Sequence, residues 1–203
     1  LTVNRRVAVL ISGRGSNFQA IAGAIRDGRL PATIGIVVSD RADAAGLRLA
    51  SELGIRSEWV NPKEYGDREA YDRAIVALLR EHDIDLVCLA GFMRRVRRPL
   101  LEAYPNRILN IHPSLLPAFP GLHAQRQAIE YGVRVAGATV HLVTEELDAG
   151  PIVLQAAVPV FDADTVETLS SRILTAEHRI YPEAIGVVLE GRWSLDGRRF
   201  VRK

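Results

Sequence analysis

Near the start of the chain an unbroken apolar run, Val7-Ala8-Val9-Leu10-Ile11, gives way to Gly13-Arg14-Gly15-Ser16-Asn17 and then to a helical stretch. A run without alternation fits a strand buried on both faces, which points to a parallel sheet covered by helices. The unit recurs. Residues 34–39, 57–60, 85–90 and 108–111 read as further strands. Residues 18–27, 43–53, 67–82 and 99–103 read as helices, the first two closed by Gly28 and Gly54. In 67–82, Ala70, Ala74, Leu78 and Tyr71, Ile75, Leu79 form the apolar face. Strict strand–helix alternation predicts an α/β fold: a Rossmann-like open, mostly parallel sheet with helices on both faces and right-handed crossovers.

The pattern changes in the second half. Residues 113–122 (PSLLPAFPGL) are proline-rich and apolar, so they predict a loop that packs on something. A helix over 123–131 ends at Gly132. Residues 138–143 and 152–160 alternate between faces, as longer antiparallel strands do. Residues 165–189 predict a long final helix that Pro182 kinks or splits, and 193–203 a short hairpin or tail. The length of 203 residues suits one domain, 1–203, with an N-terminal half over 1–105 and a C-terminal half over 106–203.

Composition narrows the function. A net charge of +2 is too small to argue for nucleic acid, and Lys63 and Lys203 are the only lysines. Cys88, the only cysteine, sits inside Leu86-Val87-Cys88-Leu89. It has no internal disulfide partner, so a reducing, cytoplasmic compartment is expected, and burial makes it inert packing. Arg5-Arg6 before the first apolar run resembles a miniature signal peptide, but the run is too short. No stretch is long enough to span a membrane.

The turn at Gly13 to Asn17 follows a strand and opens a helix, where open parallel sheets bind ligands. The amides of Gly15, Ser16 and Asn17 would face an anion at the positive helix end. The Gly-Lys-Ser/Thr ending of a Walker loop is missing, and Phe18 replaces the third glycine of a dinucleotide fingerprint. Asp40, after the second strand, does resemble the ribose-binding acid of that fold. The turn therefore reads as a monophosphate site, or else as a plain glycine turn with Ser16 as helix cap.

Asn110-Ile111-His112 ends the fifth strand, and period-two alternation puts Asn110 and His112 on one side. A carboxamide and an imidazole together can donate to one developing oxyanion. Asp148 lies in the turn that follows residues 138–143. A carboxylate near an imidazole favours its protonated form and makes it a proton donor. Two alternatives stand beside this acid site. The histidines could satisfy core hydrogen bonds, or His112, His123, His141 and Asp148 could hold a metal, although no tight ligand spacing is present. His82 and His178 fit surface or packing roles.

These residues also resemble a known family. Asn110-Ile111-His112-Pro113-Ser114-Leu115-Leu116-Pro117 is similar to the signature of 10-formyltetrahydrofolate-dependent formyltransferases. Ile11-Ser12-Gly13-Arg14-Gly15-Ser16-Asn17 resembles the first turn of the phosphoribosylglycinamide formyltransferases of purine synthesis. Residues 90–94, 119–123 and 144–151 extend the likeness over nearly the whole chain. The resemblance implies that Asn110, His112 and Asp148 are catalytic. It implies that Gly15, Ser16 and Asn17 hold the substrate phosphate and that Glu177 contacts the sugar hydroxyls. It assigns Arg68, Met93, Arg94, Arg95, Val96, Asn110, Thr144, Glu145, Glu146, Leu147 and Asp148 to the folate. Leu89 and Val96 would face the pteridine, and residues 113–122 would form a mobile flap.

The implied partners are two small molecules, glycinamide ribonucleotide and 10-formyltetrahydrofolate as co-substrate, with no metal, nucleic acid or membrane; a homodimer is allowed for. The implied reaction is direct attack of the glycinamide amine on the formyl carbon. Asn110 and protonated His112 hold the oxyanion, and Asp148 favours that protonated form. Leu174 departs from relatives that carry a polar group there, which puts more weight on the first turn, and the chain begins at Leu1 rather than methionine. The rival expectations are a formyltetrahydrofolate hydrolase or a tRNA formyltransferase, each expected to carry an added domain. A non-catalytic binding module would be expected to lack one of the trio, and a nicotinamide-dependent oxidoreductase is disfavoured by Phe18.

Overall fold

Strand β1 (Arg6–Ile11) is buried from Val7 onward, as its unbroken apolar run requires. It pairs in parallel with β2 (Thr33–Ser39) on one side and with β4 (Leu86–Leu89) on the other. A third strand, β3 (Ser57–Trp59), joins β2 in parallel, so these four run in the order β3-β2-β1-β4. This computed structural model describes residues 5–203, so the non-methionine start at Leu1 lies outside the described residues. The chain folds as two compact units, Leu1–Leu109 and Asn110–Lys203.

In the first unit the helices are α1 (Ser16–Arg26), α2 (Ala45–Glu52), α3 (Arg68–Glu81) and α4 (Arg98–Ala103). A single 3-10 turn over Pro62–Glu64, which the sequence pattern does not announce, is capped by the Asn61 side chain. The N-cap of α3 is Asp67, whose carboxylate accepts from the Ala70 amide at 2.7 Å. The buried face of α3 is Tyr71, Asp72, Ile75, Val76 and Leu79, while Ala70, Ala74 and Leu78 sit at its half-buried margin. Cys88 is fully buried in β4.

Strand β5 (Ile108–His112) crosses the division: Ile108 and Leu109 belong to the first unit, Asn110 to His112 to the second. The second unit adds α5 (Ala124–Tyr131), β6 (Val135–Leu142), β7 (Ile152–Pro159), α6 (Val166–Glu190), β8 (Trp193–Asp196) and β9 (Arg199–Arg202). Its strands run β6-β7-β9-β8, with β6–β7 and β8–β9 antiparallel and β7–β9 parallel. The chain end is therefore a hairpin. Helix α6 packs on β6 and β7 and continues through Pro182, which is buried inside it. Pro182 does not split the helix. The fold class is α/β, with parallel strands in the first unit and mostly antiparallel ones in the second. Among the described residues no helix is long and apolar enough to cross a membrane.

Candidate active site

Pleating of β5 puts Asn110 and His112 on one side, with Ile111 between them facing the other way. What they meet comes from β6 and from the turn after it. Asp148 sits in that turn with φ 50°, a left-handed conformation that Asp tolerates better than most residues. The turn closes tightly because Gly150 has no Cβ; one built there would stand 1.7 Å from the Leu142 carbonyl oxygen. So turned, Asp148 points inward from an otherwise exposed segment, Thr144, Glu145, Glu146 and Leu147. Its Oδ2 lies 3.5 Å from His112 Nδ1, and both side chains are only 7% exposed.

The protons can be assigned from these neighbours. His112 Nε2 lies 2.9 Å from the Phe119 carbonyl oxygen, which can only accept, so Nε2 carries hydrogen. Nδ1 faces the Asp148 carboxylate. A further histidine completes the cluster. His141 Nδ1 is 3.0 Å from the Leu142 carbonyl and donates to it. Burial pushes the His141 pKa below the ordinary imidazole value, against the opposing pulls of the Leu142 carbonyl and Asp148, so the ring is neutral. Its Nε2 must then accept; the Asn110 Nδ2 amide lies within hydrogen-bonding distance at 3.2 Å, with Asp148 Oδ1 farther off at 3.8 Å. That bond fixes which way the carboxamide points and leaves the second N–H of the amide for another acceptor. His141 is thus part of the cluster, a placement the sequence left open, while His123 is exposed at the start of α5. Among the described residues no group of three or more His, Cys, Asp and Glu is arranged to hold a metal ion.

The loop over 113–122 is tied to β6 and β7 in its first half and to this cluster in its second. Thr139 on β6 donates to the Ser114 carbonyl at 2.7 Å and accepts from the Leu116 amide at 3.1 Å. Gln155 on β7 donates to the Leu116 carbonyl at 2.9 Å. Farther along, the Phe119 carbonyl caps His112, and the Gly121 amide donates to Asp148 Oδ2 at 2.8 Å. Main-chain groups of the loop thus occupy hydrogen-bonding positions on both members of the His112–Asp148 pair.

The first turn belongs to the other unit. Gly15 is the N-cap of α1 at φ 78°, and Ser16 is the first helical residue, so Ser16 does not cap the helix. A side chain at Gly15 would be strained at that φ and would put its Cβ 2.9 Å from the Gly46 Cα. The Gly46 amide donates to the Gly13 carbonyl at 3.0 Å, so the start of α2 braces the turn. No acidic residue stands in the first turn of α1, so the helix's own sequence does not offset its positive end. Asn17 is buried and Ser16 half-buried. Glu177 is buried on α6, in the second unit, and Leu174 is half-buried on the same helix.

Arg68, Met93, Arg94 and Arg95 do come together. With Tyr71 and Asp72 they line a cavity of about 230 Å³ in the first unit. Met93 is exposed, whereas Val96 and Leu89 are buried. Tyr71 and Asp72 are invisible to sequence reasoning because they sit on the face of α3 that looks like core.

Known proteins match this chain closely. The Formyl transferase family model matches residues 5–185. Phosphoribosylglycinamide formyltransferase of Escherichia coli is 45% identical over 95% of this chain and 94% of its own length. The human trifunctional purine biosynthetic protein adenosine-3 is 51% identical over 92% of this chain, which spans only 18% of that protein. In structure, glycinamide ribonucleotide transformylase 1 of Symbiobacterium toebii superposes with a TM-score of 0.96 at 58% identity, covering 98% of this chain and 93% of that one. The chain belongs to the formyl transferase family and, within it, to the phosphoribosylglycinamide formyltransferases.

Proposed function

We propose that this protein transfers the formyl group of 10-formyltetrahydrofolate to the amine of 5'-phosphoribosylglycinamide, a step of purine biosynthesis. The observation that carries the reading is the His112–Asp148 pair, 3.5 Å apart and shielded from water, on the strand face that also bears Asn110. Relatives named for this reaction support the choice of substrates. The amine lone pair attacks the formyl carbon, and the carbonyl π pair moves onto oxygen. That oxyanion accepts from the Asn110 amide and from His112 Nε2–H, taking the place of the Phe119 carbonyl. Such preorganised donors stabilise charge as it develops. Asp148 holds the imidazolium, and a proton leaves the attacking nitrogen as one arrives at N10 of the folate. The oxyanion pair then re-forms the C=O bond as the C–N10 bond breaks, its electrons staying on the protonated N10, and tetrahydrofolate departs.

The remaining residues have binding roles in this reading. Gly15, Ser16 and Asn17 present amides and a hydroxyl to the ribonucleotide phosphate, with Glu177 on the sugar hydroxyls. Arg68, Met93 to Val96 and Thr144 to Asp148 receive the folate. The chemistry needs neither a protein nucleophile nor a metal, because two bound substrates react directly.

The test is a formyl-transfer assay with glycinamide ribonucleotide as acceptor, run without added metal. Transfer is expected, and Asp148→Asn and His112→Ala should each lower kcat by about two to three powers of ten while leaving the folded state intact. Hydrolysis of the formyl donor with no transfer would overturn the reading in favour of a hydrolase. Full activity in either variant would overturn the mechanism.

A further inference from the structure

Residues 91–97 form no regular secondary structure, yet their path is fixed at both ends by buried side chains to which the reaction gives no role. At the entry, Ser12 is 6% exposed at the end of β1. Its amide donates to the Gly91 carbonyl at 3.1 Å, and its hydroxyl accepts from the Met93 amide at 2.8 Å. At the exit, Asp72 on α3 is 5% exposed and accepts from the Arg97 amide at 2.6 Å. Between these points the Arg94 guanidinium lies 4.9 Å from the ring centre of Tyr71, the residue before Asp72. Tyr71 is in turn braced edge-on by Tyr65 at 5.7 Å.

A buried carboxylate is costly to keep unless a hydrogen-bonding partner compensates it. Its partner here is a main-chain amide, in the loop that carries Met93 to Val96. Arg68, on the same cavity, is the first residue of α3. One helix therefore supplies a cavity-lining side chain and also sets the backbone of the facing loop. We infer that Asp72, with Ser12 at the opposite end, is a positioning residue for the formyl donor: the two clamp the 93–96 segment in the shape that receives the folate. This rests on the reading above that places the folate against that segment.

The clamp and that reading are tested together but fail separately. Hydrogen exchange on the wild-type protein, with and without tetrahydrofolate, should show slowed amides over 93–96. If those amides are unaffected, the folate placement is wrong. Steady-state kinetics then test the clamp. Asp72→Ala should raise KM for 10-formyltetrahydrofolate by about tenfold, the scale of one lost charge-assisted hydrogen bond, with kcat and the ribonucleotide KM within about twofold. Asp72→Asn keeps an oxygen acceptor and should recover most of that loss. In Asp72→Ala the Arg97 amide should exchange faster than in Asp72→Asn. An unchanged folate KM in Asp72→Ala, alongside tetrahydrofolate protection of 93–96 in the wild type, overturns the clamp. So does an equal fall in kcat for both variants.

Discussion

His141 is the residue whose importance depends most on its surroundings. A neutral imidazole that must donate to Leu142 has only an acceptor left for Asn110, so the amide is held with nitrogen toward the ring. Without it, the Asn110 carboxamide could turn its oxygen toward a developing negative charge. His141→Ala should therefore lower kcat by about one to two powers of ten, less than outright removal of an oxyanion donor costs. Substrate KM values should stay near wild type. A kcat within twofold of wild type, in a variant shown to be folded by its urea midpoint, would mean that Asn110 is oriented by something else. Alternation along β5 made the pairing of Asn110 with His112 readable from sequence. It could not reveal His141, because nearly all of β6 is buried and a bulge shifts its register between Val140 and His141. Bulges re-aim side chains beside active sites, and one-residue irregularities leave no periodic trace. Nor could spacing show that Asp148 reaches His112, since that depends on a left-handed backbone and on the close approach at Gly150.

The entrance of α6 is tied by several groups at once. Thr165 and Thr168 form a reciprocal capping box, and Asp164 just before them accepts from the Phe161 amide at 2.8 Å. Arg172, two turns into the helix, meets Asp164 with both terminal guanidinium nitrogens, at 2.7 and 2.8 Å, and lies over the Phe161 ring. The Arg172 guanidinium, aided by the Phe161 amide and the Thr168 hydroxyl, holds the Asp164 carboxyl well below the usual carboxylate range. The sign follows from linkage. A carboxylate with a depressed folded pKa contributes stability above its unfolded value, about 3.9, and loses it as pH falls toward the folded value. Asp164→Asn should therefore lower the melting temperature by a constant amount above about pH 5, and the gap from wild type should shrink between about pH 4 and 2. Thermal melts across that range are the check; a gap that stays constant to pH 2 would mean that the ion pair contributes nothing. The loop over 113–122 is likewise tied unevenly. Its first half is bolted to Thr139 and Gln155 by side-chain hydrogen bonds, whereas its second half meets His112 and Asp148 through main-chain groups, Phe119 C=O and Gly121 N–H.

For the molecule as a whole, the sequence exposed strands β1, β2 and β4 of the first unit because each is an apolar run closed by a glycine-rich or polar turn. The second unit was less legible. Its strand β6 begins three residues earlier than alternation suggested, at Val135, and Pro182 reads as a break although α6 passes through it. The folate-binding assignment came from family likeness rather than periodicity, since Arg68 and Met93 to Arg95 stand far apart in sequence and meet only around a cavity. That dispersal can be tested by ligand-linked stability, which requires no assumption about the chemical step. A ligand that binds only the folded state stabilises it by about 2.7 kcal/mol at a hundred times its Kd. For a chain of this size that corresponds to a rise in melting temperature of roughly 5–11 °C. Glycinamide ribonucleotide and tetrahydrofolate should each produce such a rise in the wild type. At the same ligand concentrations, Ser16→Ala and Asn17→Ala should shrink the ribonucleotide shift and keep the folate shift. Arg68→Ala should do the opposite, and His112→Ala should retain both shifts while losing turnover. The reverse pattern would exchange the two subsites, and loss of both shifts in His112→Ala would make that residue a part of the scaffold rather than of the chemistry.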